Sequence, residues 1–90
     1  MLVLPTELTQ RQAAACLHML LQAVRGEAAG QVVADASALE RFDSSALAVL
    51  LACRRECLAE GKSLAVKGLP AKLRELAGLY GVAELLPAAA

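Results

Sequence analysis

Aromatic side chains are nearly missing from this chain: one Phe, one Tyr and no Trp stand among 90 residues. A core without rings has to be assembled from Leu, Val and Ala, and no aromatic platform is on offer for stacking nucleobases. An excess of basic charge is missing too. Nine Lys and Arg balance nine Asp and Glu, interspersed, so the electrostatic footprint of a nucleic-acid binder is not there. Long apolar runs are equally scarce. The longest, Ala46 to Cys53, falls far short of the roughly 20 residues that span a bilayer. Met1-Leu2-Val3-Leu4-Pro5 lacks the charged region and extended apolar stretch of a signal peptide. These absences predict a cytoplasmic protein with no direct membrane insertion and no nucleic-acid partner.

The three cysteines, Cys16, Cys53 and Cys57, are odd in number and follow no framework spacing, which suits a reducing compartment. Cys53 and Cys57 lie one helical turn apart, but no second ligand pair follows, and His18 is the only histidine. Free buried thiols, behaving as small hydrophobes, and no metal site are the expectation; His18 reads as a surface or boundary residue. Ser44 and Ser45 have no base beside them and no Gly-x-Ser-x-Gly elbow around them. Gly61-Lys62-Ser63 lacks the upstream glycine and the following helix of a phosphate loop. No catalytic set and no cofactor site are expected.

What the chain does have is alternation of elements. Leu2-Val3-Leu4, stopped by Pro5, reads as an edge strand. Thr9-Gln10-Arg11-Gln12 reads as a capping box, opening a helix with Ala13, Leu17, Leu20, Leu21 and Val24 on one face and a loop from Gly26 to Gly30 after it. Gln31–Asp35 is the clearest strand. Asp43 is a good N-cap for a helix from about Ser44 to Glu60, terminated by Gly61. Its apolar stripe is predicted as Leu47, Leu50, Leu51 and Leu58, flanked by Ala46, Val49, Cys53 and Cys57, with Arg54 snorkelling within it. Ala48, Ala52 and Ala59 lie on the opposite side, where small residues let a partner approach closely; alanine's helix propensity explains them equally well. Ser63–Lys67 reads as another strand. Pro70 is placed at the first position of a last helix, with Leu73, Leu76, Ala77 and Tyr80 on its buried face and Gly81 ending it. Val82 to Leu86 reads as a short strand or last turn, and residues 87–90 as a frayed tail. The order β-α-β-α-β-α predicts one α/β domain over residues 1–90, a short mainly parallel sheet with helices packed on it. The loop after Asp35 then lies at the carboxyl edge of the sheet, the usual place for a site.

The polar knot Asp43-Ser44-Ser45 at the start of the central helix is the candidate site. By itself it is also what any capped helix shows. The arrangement around it says more. Val32-Val33-Ala34-Asp35-Ala36-Ser37 followed by Phe42-Asp43-Ser44-Ser45-Ala46-Leu47 resembles the signature of STAS domains: a hydrophobic strand, a short loop, then a polar turn opening an apolar helix. Gly61-Lys62 before a strand and Leu73-Arg74-Glu75-Leu76-Ala77-Gly78-Leu79-Tyr80 are similar to the family as well, so the likeness runs from Gln31 to Pro87. Ala46 stands where the family usually has glycine. The N-terminal strand region is shorter than the family's, which implies a sheet that is either reduced or completed by a partner or by a second copy, in a homodimer of the isolated domain.

The resemblance implies a non-catalytic domain that binds other proteins, in one of two ways. In the small stand-alone subunits of Mla-type phospholipid ABC transporters, the domain docks on the cytoplasmic ATPase, and through it on a membrane permease; the residue matching Ser44 belongs to the contact. In anti-sigma factor antagonists, the serine matching Ser45 is phosphorylated by the anti-sigma kinase. The resemblance to the transporter subunit is the favoured one. It implies Asp43, Ser44, Ser45, Ala48, Ala52 and Tyr80 as partner-binding residues, Ser45 or Ser44 as phosphorylation sites in the alternative, and a peripheral location at the inner membrane through the partner.

Overall fold

A computed structural model describes residues 1–89. Three strands, β1 (Leu2–Val3), β3 (Gln31–Asp35) and β5 (Ser63–Lys67), form a parallel sheet in the order β1-β3-β5. Between them run α1 (Gln10–Gly26) and α2 (Ser44–Ala59), and α3 (Ala71–Leu79) follows β5. A second, two-stranded parallel ladder pairs β2 (Glu7–Leu8) with β4 (Arg41–Phe42). This small α/β architecture is the one that the alternation of strand and helix patterns predicts, with β2 and β4 as additions.

Pleating decides which strand residues meet the helices. Leu2, Val32, Ala34, Leu64 and Val66 share one face of the sheet and join one core cluster with Leu20 and Val24 of α1 and Leu47, Leu50, Cys53 and Cys57 of α2. The buried face of α2 is Ala46, Leu47, Val49, Leu50, Cys53 and Cys57. This corrects the predicted stripe at Leu58, which is 54% exposed; Leu51 is half-buried and packs against the core. The residues expected on the flank form the centre of the contact, because Ala46 and the two thiols are small enough to bring the helix axis close to the sheet. Burial pushes the Cys53 thiol up to about 12, helped by the neighbouring Cys57 and Cys16 thiols, and raises Cys16 and Cys57 as well.

Three further differences stand out around α3 and the C-terminal segment. Pro70 is the N-cap of α3, with ψ 143°, and the helix begins at Ala71; an extended Pro70 leaves β5 without a longer loop. Tyr80, predicted on the buried face, is 61% exposed, because it caps the helix end beyond the sheet while Leu73 and Ala77 face the core. The segment from 87 to 89 does not fray: the Val66 amide donates to the Pro87 carbonyl at 2.8 Å, the Ala89 amide donates to the Val66 carbonyl at 2.9 Å, and Val66 and Ala88 bridge in parallel. Before it, Ala83–Leu85 form a 3-10 turn that buries Leu86. Ala90 lies outside the described residues. Among those described, no helix is long and apolar enough to cross a membrane.

Candidate functional site

The site is built by the β2–β4 ladder. Leu8 pairs with Phe42, in parallel, so the next residues in each chain, Thr9 and Asp43, are equivalent N-caps, and α1 and α2 start side by side. The Thr9 cap is the expected box: the Gln12 Oε1 accepts from the Thr9 amide at 2.9 Å and from its hydroxyl at 2.7 Å. Asp43 does more than sequence reasoning assigned to it. Its Oδ1 accepts from the Ser45 amide at 2.8 Å, inside its own helix, while its Oδ2 accepts from the Gln10 amide at 3.1 Å, the first residue of α1. One carboxylate thus caps two helices. The matching pattern of an apolar residue followed by a cap, Leu8-Thr9 and Phe42-Asp43, is the signal that could have revealed the pairing.

These hydrogen bonds, first that from Gln10 and then that from Ser45, hold the Asp43 carboxyl below the usual carboxylate range. The loop that delivers Phe42 and Asp43 is itself fixed. Asp35 Oδ1 accepts from the Ser37 amide at 3.0 Å and also from the Ser37 hydroxyl, and the hydroxyl chiefly lowers the Asp35 pKa. The Ala36 amide donates to the Lys67 carbonyl at 2.8 Å, and the Glu40 and Arg41 amides both donate to the Thr6 carbonyl, at 2.8 and 3.0 Å. Gly68, with φ +67°, lets the loop after β5 come against Ser37: a Cβ added there would stand 2.8 Å from the Ser37 Cβ.

On this rigid turn Ser44 is exposed and Ser45 half-buried. Ala48 is exposed one turn along α2, and Ala52, half-buried, follows about 12 Å from Ser44 at the helical rise. The structure therefore groups Asp43, Ser44, Ser45 and Ala48 and continues the line to Ala52. It does not bring Tyr80 to them. Helix α3 leaves the carboxyl edge of the sheet beside α2, and about 13 Å of helix carries Tyr80 towards the other end. Beside the serine turn, Thr6, Glu7, Glu40 and Arg41 line an open dish of about 410 Å³, with Arg41 and Glu7 paired at 3.8 Å. His18, expected at the surface, is exposed and meets Gln22 at 3.2 Å.

The site is thus a small parallel α/β layer with Ser44 exposed and Ser45 half-buried at a helix start, and with its Cys thiols buried. The comparisons give it a family: a model described as "Mlab, STAS domain" matches residues 1–87, and the chain belongs to the STAS-domain family. Domains of this family are generally non-catalytic and serve regulatory or assembly roles. No curated protein matches the chain.

Proposed function

We propose that this domain is an assembly and regulatory subunit that binds the ATPase of an Mla-type phospholipid ABC transporter, and through it a permease, supporting the activity that maintains outer-membrane lipid asymmetry. The family description supports this reading by its name. The observation that carries it is Ser44, exposed on a turn held by a doubly bonded carboxylate, with the small Ala48 beside it. A hydroxyl presented this way adapts as donor or acceptor, and the alanine behind it leaves room for the partner's backbone. The domain sits at the inner membrane only through that partner.

The test is affinity purification of the tagged chain from its native cell, with mass spectrometry of what accompanies it. An ABC ATPase with its permease is the expected result. Ser44→Glu should lower its recovery by roughly tenfold while circular dichroism stays unchanged, since an acidic residue in a first turn suits the helix dipole. Unchanged recovery would remove Ser44 from the contact. Capture of a histidine-kinase-like anti-sigma factor, with phosphate on Ser45 by intact mass, would replace the reading by that of an anti-sigma factor antagonist.

A further inference from the structure

The parallel sheet has one face without helices. Leu2, Val32, Ala34, Leu64 and Val66 turn into the core cluster, to which α1, α2 and α3 all contribute. Their alternates, Val3, Val33, Asp35, Ala65 and Lys67, turn the other way. The bridge between Val66 and Ala88 adds residues 87–89 as a further row beyond β5, so Pro87 and Ala89 lie beside Ala65 and Lys67 on the open face. This register sets large residues on one half of the face and small ones on the other. Met1 and Val3, each 63% exposed, and the half-buried Val33 stand on the β1–β3 half. Ala65, Pro87 and Ala89 make the low half. A hollow of about 300 Å³, lined by Met1, Glu27, Gln31, Val33, Lys67 and Ala89, opens on this face. Asp35 of β3 and Lys67 of β5 stand side by side there. Asp35 uses Oδ1 for both its bonds to Ser37, and among the described residues Lys67 has no carboxylate within 4.0 Å.

We propose that this open face packs on the same face of a second copy, about a two-fold axis running along the strands between β3 and β5. That one operation lays the high half of each copy on the low half of the other: Val33 over Ala65, Val3 over Ala89, Met1 over Pro87. It also sets Asp35 of each copy opposite Lys67 of the other, and Gln31 opposite Ser63. An isologous contact needs self-complementarity of this kind, and aligned packing of two sheets accommodates it. Equal and opposite charges on one face select neither an acidic nor a basic partner, and a single lysine beside an acid is no dock for anionic lipid. Edge pairing at β1 is the poorer route to a dimer. The Leu4 amide turns in to Asp35, so the outward amide is that of Val3, and the next outward position is Pro5, which has no N–H. Three strands and the added row, about 4.8 Å apart, cover roughly 300 Å² per copy. A stable interface takes about 800 Å² per partner, so this dimer is weak, with a Kd on the order of 100 µM. The inference stands apart from the proposed function, since the serine turn and the helices lie on the other side of the sheet.

Sedimentation equilibrium of the full chain from about 10 µM to about 1 mM tests it. The mean mass should rise with concentration towards twice that of the chain and stop there. Lys67→Glu sets acid against acid and should weaken the dimer on the order of tenfold. Val3→Lys, which places a charge over Ala89, should weaken it comparably, while Met19→Glu, at a residue 58% exposed on α1, should leave it unchanged. An equimolar mixture of Lys67→Glu with Asp35→Lys should recover the association that each lacks alone, because both ion pairs re-form between unlike copies. Should Asp35→Lys lose its helical circular dichroism, Asp35→Asn replaces it, and the mixture regains one pair of the two, a smaller recovery in the same direction. A mass that stays at the monomer's throughout, masses beyond twice it, a dimer indifferent to Lys67→Glu or to Val3→Lys, one weakened by Met19→Glu alone, or no recovery on mixing overturns the inference.

Discussion

At the carboxyl edge of the sheet, α1 and α2 are joined by Asp43, whose exposed carboxylate accepts from an amide at the start of each helix. At the other end they are joined by Lys62, whose ammonium donates at 2.8 Å to the Val24 carbonyl in the last turn of α1, while its own amide donates at 2.7 Å to the Cys57 carbonyl of α2. Both charges complement the helix dipoles, an acid at the two N-termini and a base at the C-termini. Their surroundings differ. The Lys62 side chain is only 13% exposed, with Gly61, at φ +70°, turning the chain so that it folds back over the helix ends. One end is closed by an enclosed cation and serves the fold. The other is held by a carboxylate in water beside free hydroxyl-bearing residues, and is left accessible to a partner.

The contrast breaks most readily at the accessible end, through the loop packing beneath it. In Gly68→Ala the new methyl meets Ser37, at 2.8 Å from its Cβ and 3.0 Å from its Cα, in a left-handed backbone conformation. The expected loss is about 2–4 kcal/mol from the combined backbone strain and overpacking. That is a large share of the roughly 5–10 kcal/mol available to a domain of this size. Urea unfolding measures it. A loss within ~0.5 kcal/mol, as for an ordinary surface change, would mean that the loop from 36 to 40 yields freely and does not fix the serine turn.

At the closed end, Lys62→Met keeps an apolar stem over the layer and removes the donor. Since the Val24 carbonyl also accepts from the Glu27 amide at 3.2 Å, it is not left without a partner. The expected cost is about 1–2 kcal/mol, at the lower end for a hydrogen bond from a charged group. The same urea titration checks it. No measurable change would mean that apolar packing alone closes this end, and the comparison would reduce to one tie instead of two.

Much of this was legible in local patterns, and the reasons are particular. Gln31–Asp35 and Ser63–Lys67 have the predicted bounds because β-branched or alternating runs bounded by Gly and polar residues leave few other options. The Thr9 box and the Asp43 cap are contacts over two or three residues, written in the sequence itself. The bond from Gln10 to Asp43 spans 33 residues and depends on the two-residue ladder Glu7–Leu8 with Arg41–Phe42, too short to give a period. The centre of the buried face of α2 is hard to read from sequence because leucine outweighs alanine and cysteine in any apolar count, while close approach to a sheet favours the small residues. Leu51 does pack against the core, half-buried, while Leu58, in the last turn of the helix, stays exposed. The return of residues 87–89 to β5 carries no sequence signal at all: backbone bonds to Val66 are blind to Ala side chains.

The smallest expected effects, and the sharpest, come from Asp43 itself. In the unfolded chain its carboxyl titrates near 4; folded, the Gln10 and Ser45 amides lower it. Across the acid range the native state therefore binds fewer protons than the unfolded one. The stabilisation is whole above about pH 4–5, shrinks as pH falls below that, and is gone once the folded carboxyl is protonated. Asp43→Asn replaces two acceptors by one acceptor and one donor, so it can cap only one of the two helices. At pH 7 thermal midpoints should fall in the order wild type, Asp43→Asn, Asp43→Ala, with steps of at most a few degrees. Once the pH falls through the lowered pKa of the folded carboxyl, a protonated Asp43 also offers one acceptor and one donor, so the gap between wild type and Asp43→Asn should narrow as the pH falls below about 4 and then close, while Asp35, lowered by Ser37, leaves both with a residual loss in acid. Parallel pH profiles for wild type and Asp43→Asn would show that the carboxylate's second bond, the one reaching α1, contributes nothing. The two helix starts would then be held together by the β2–β4 ladder alone.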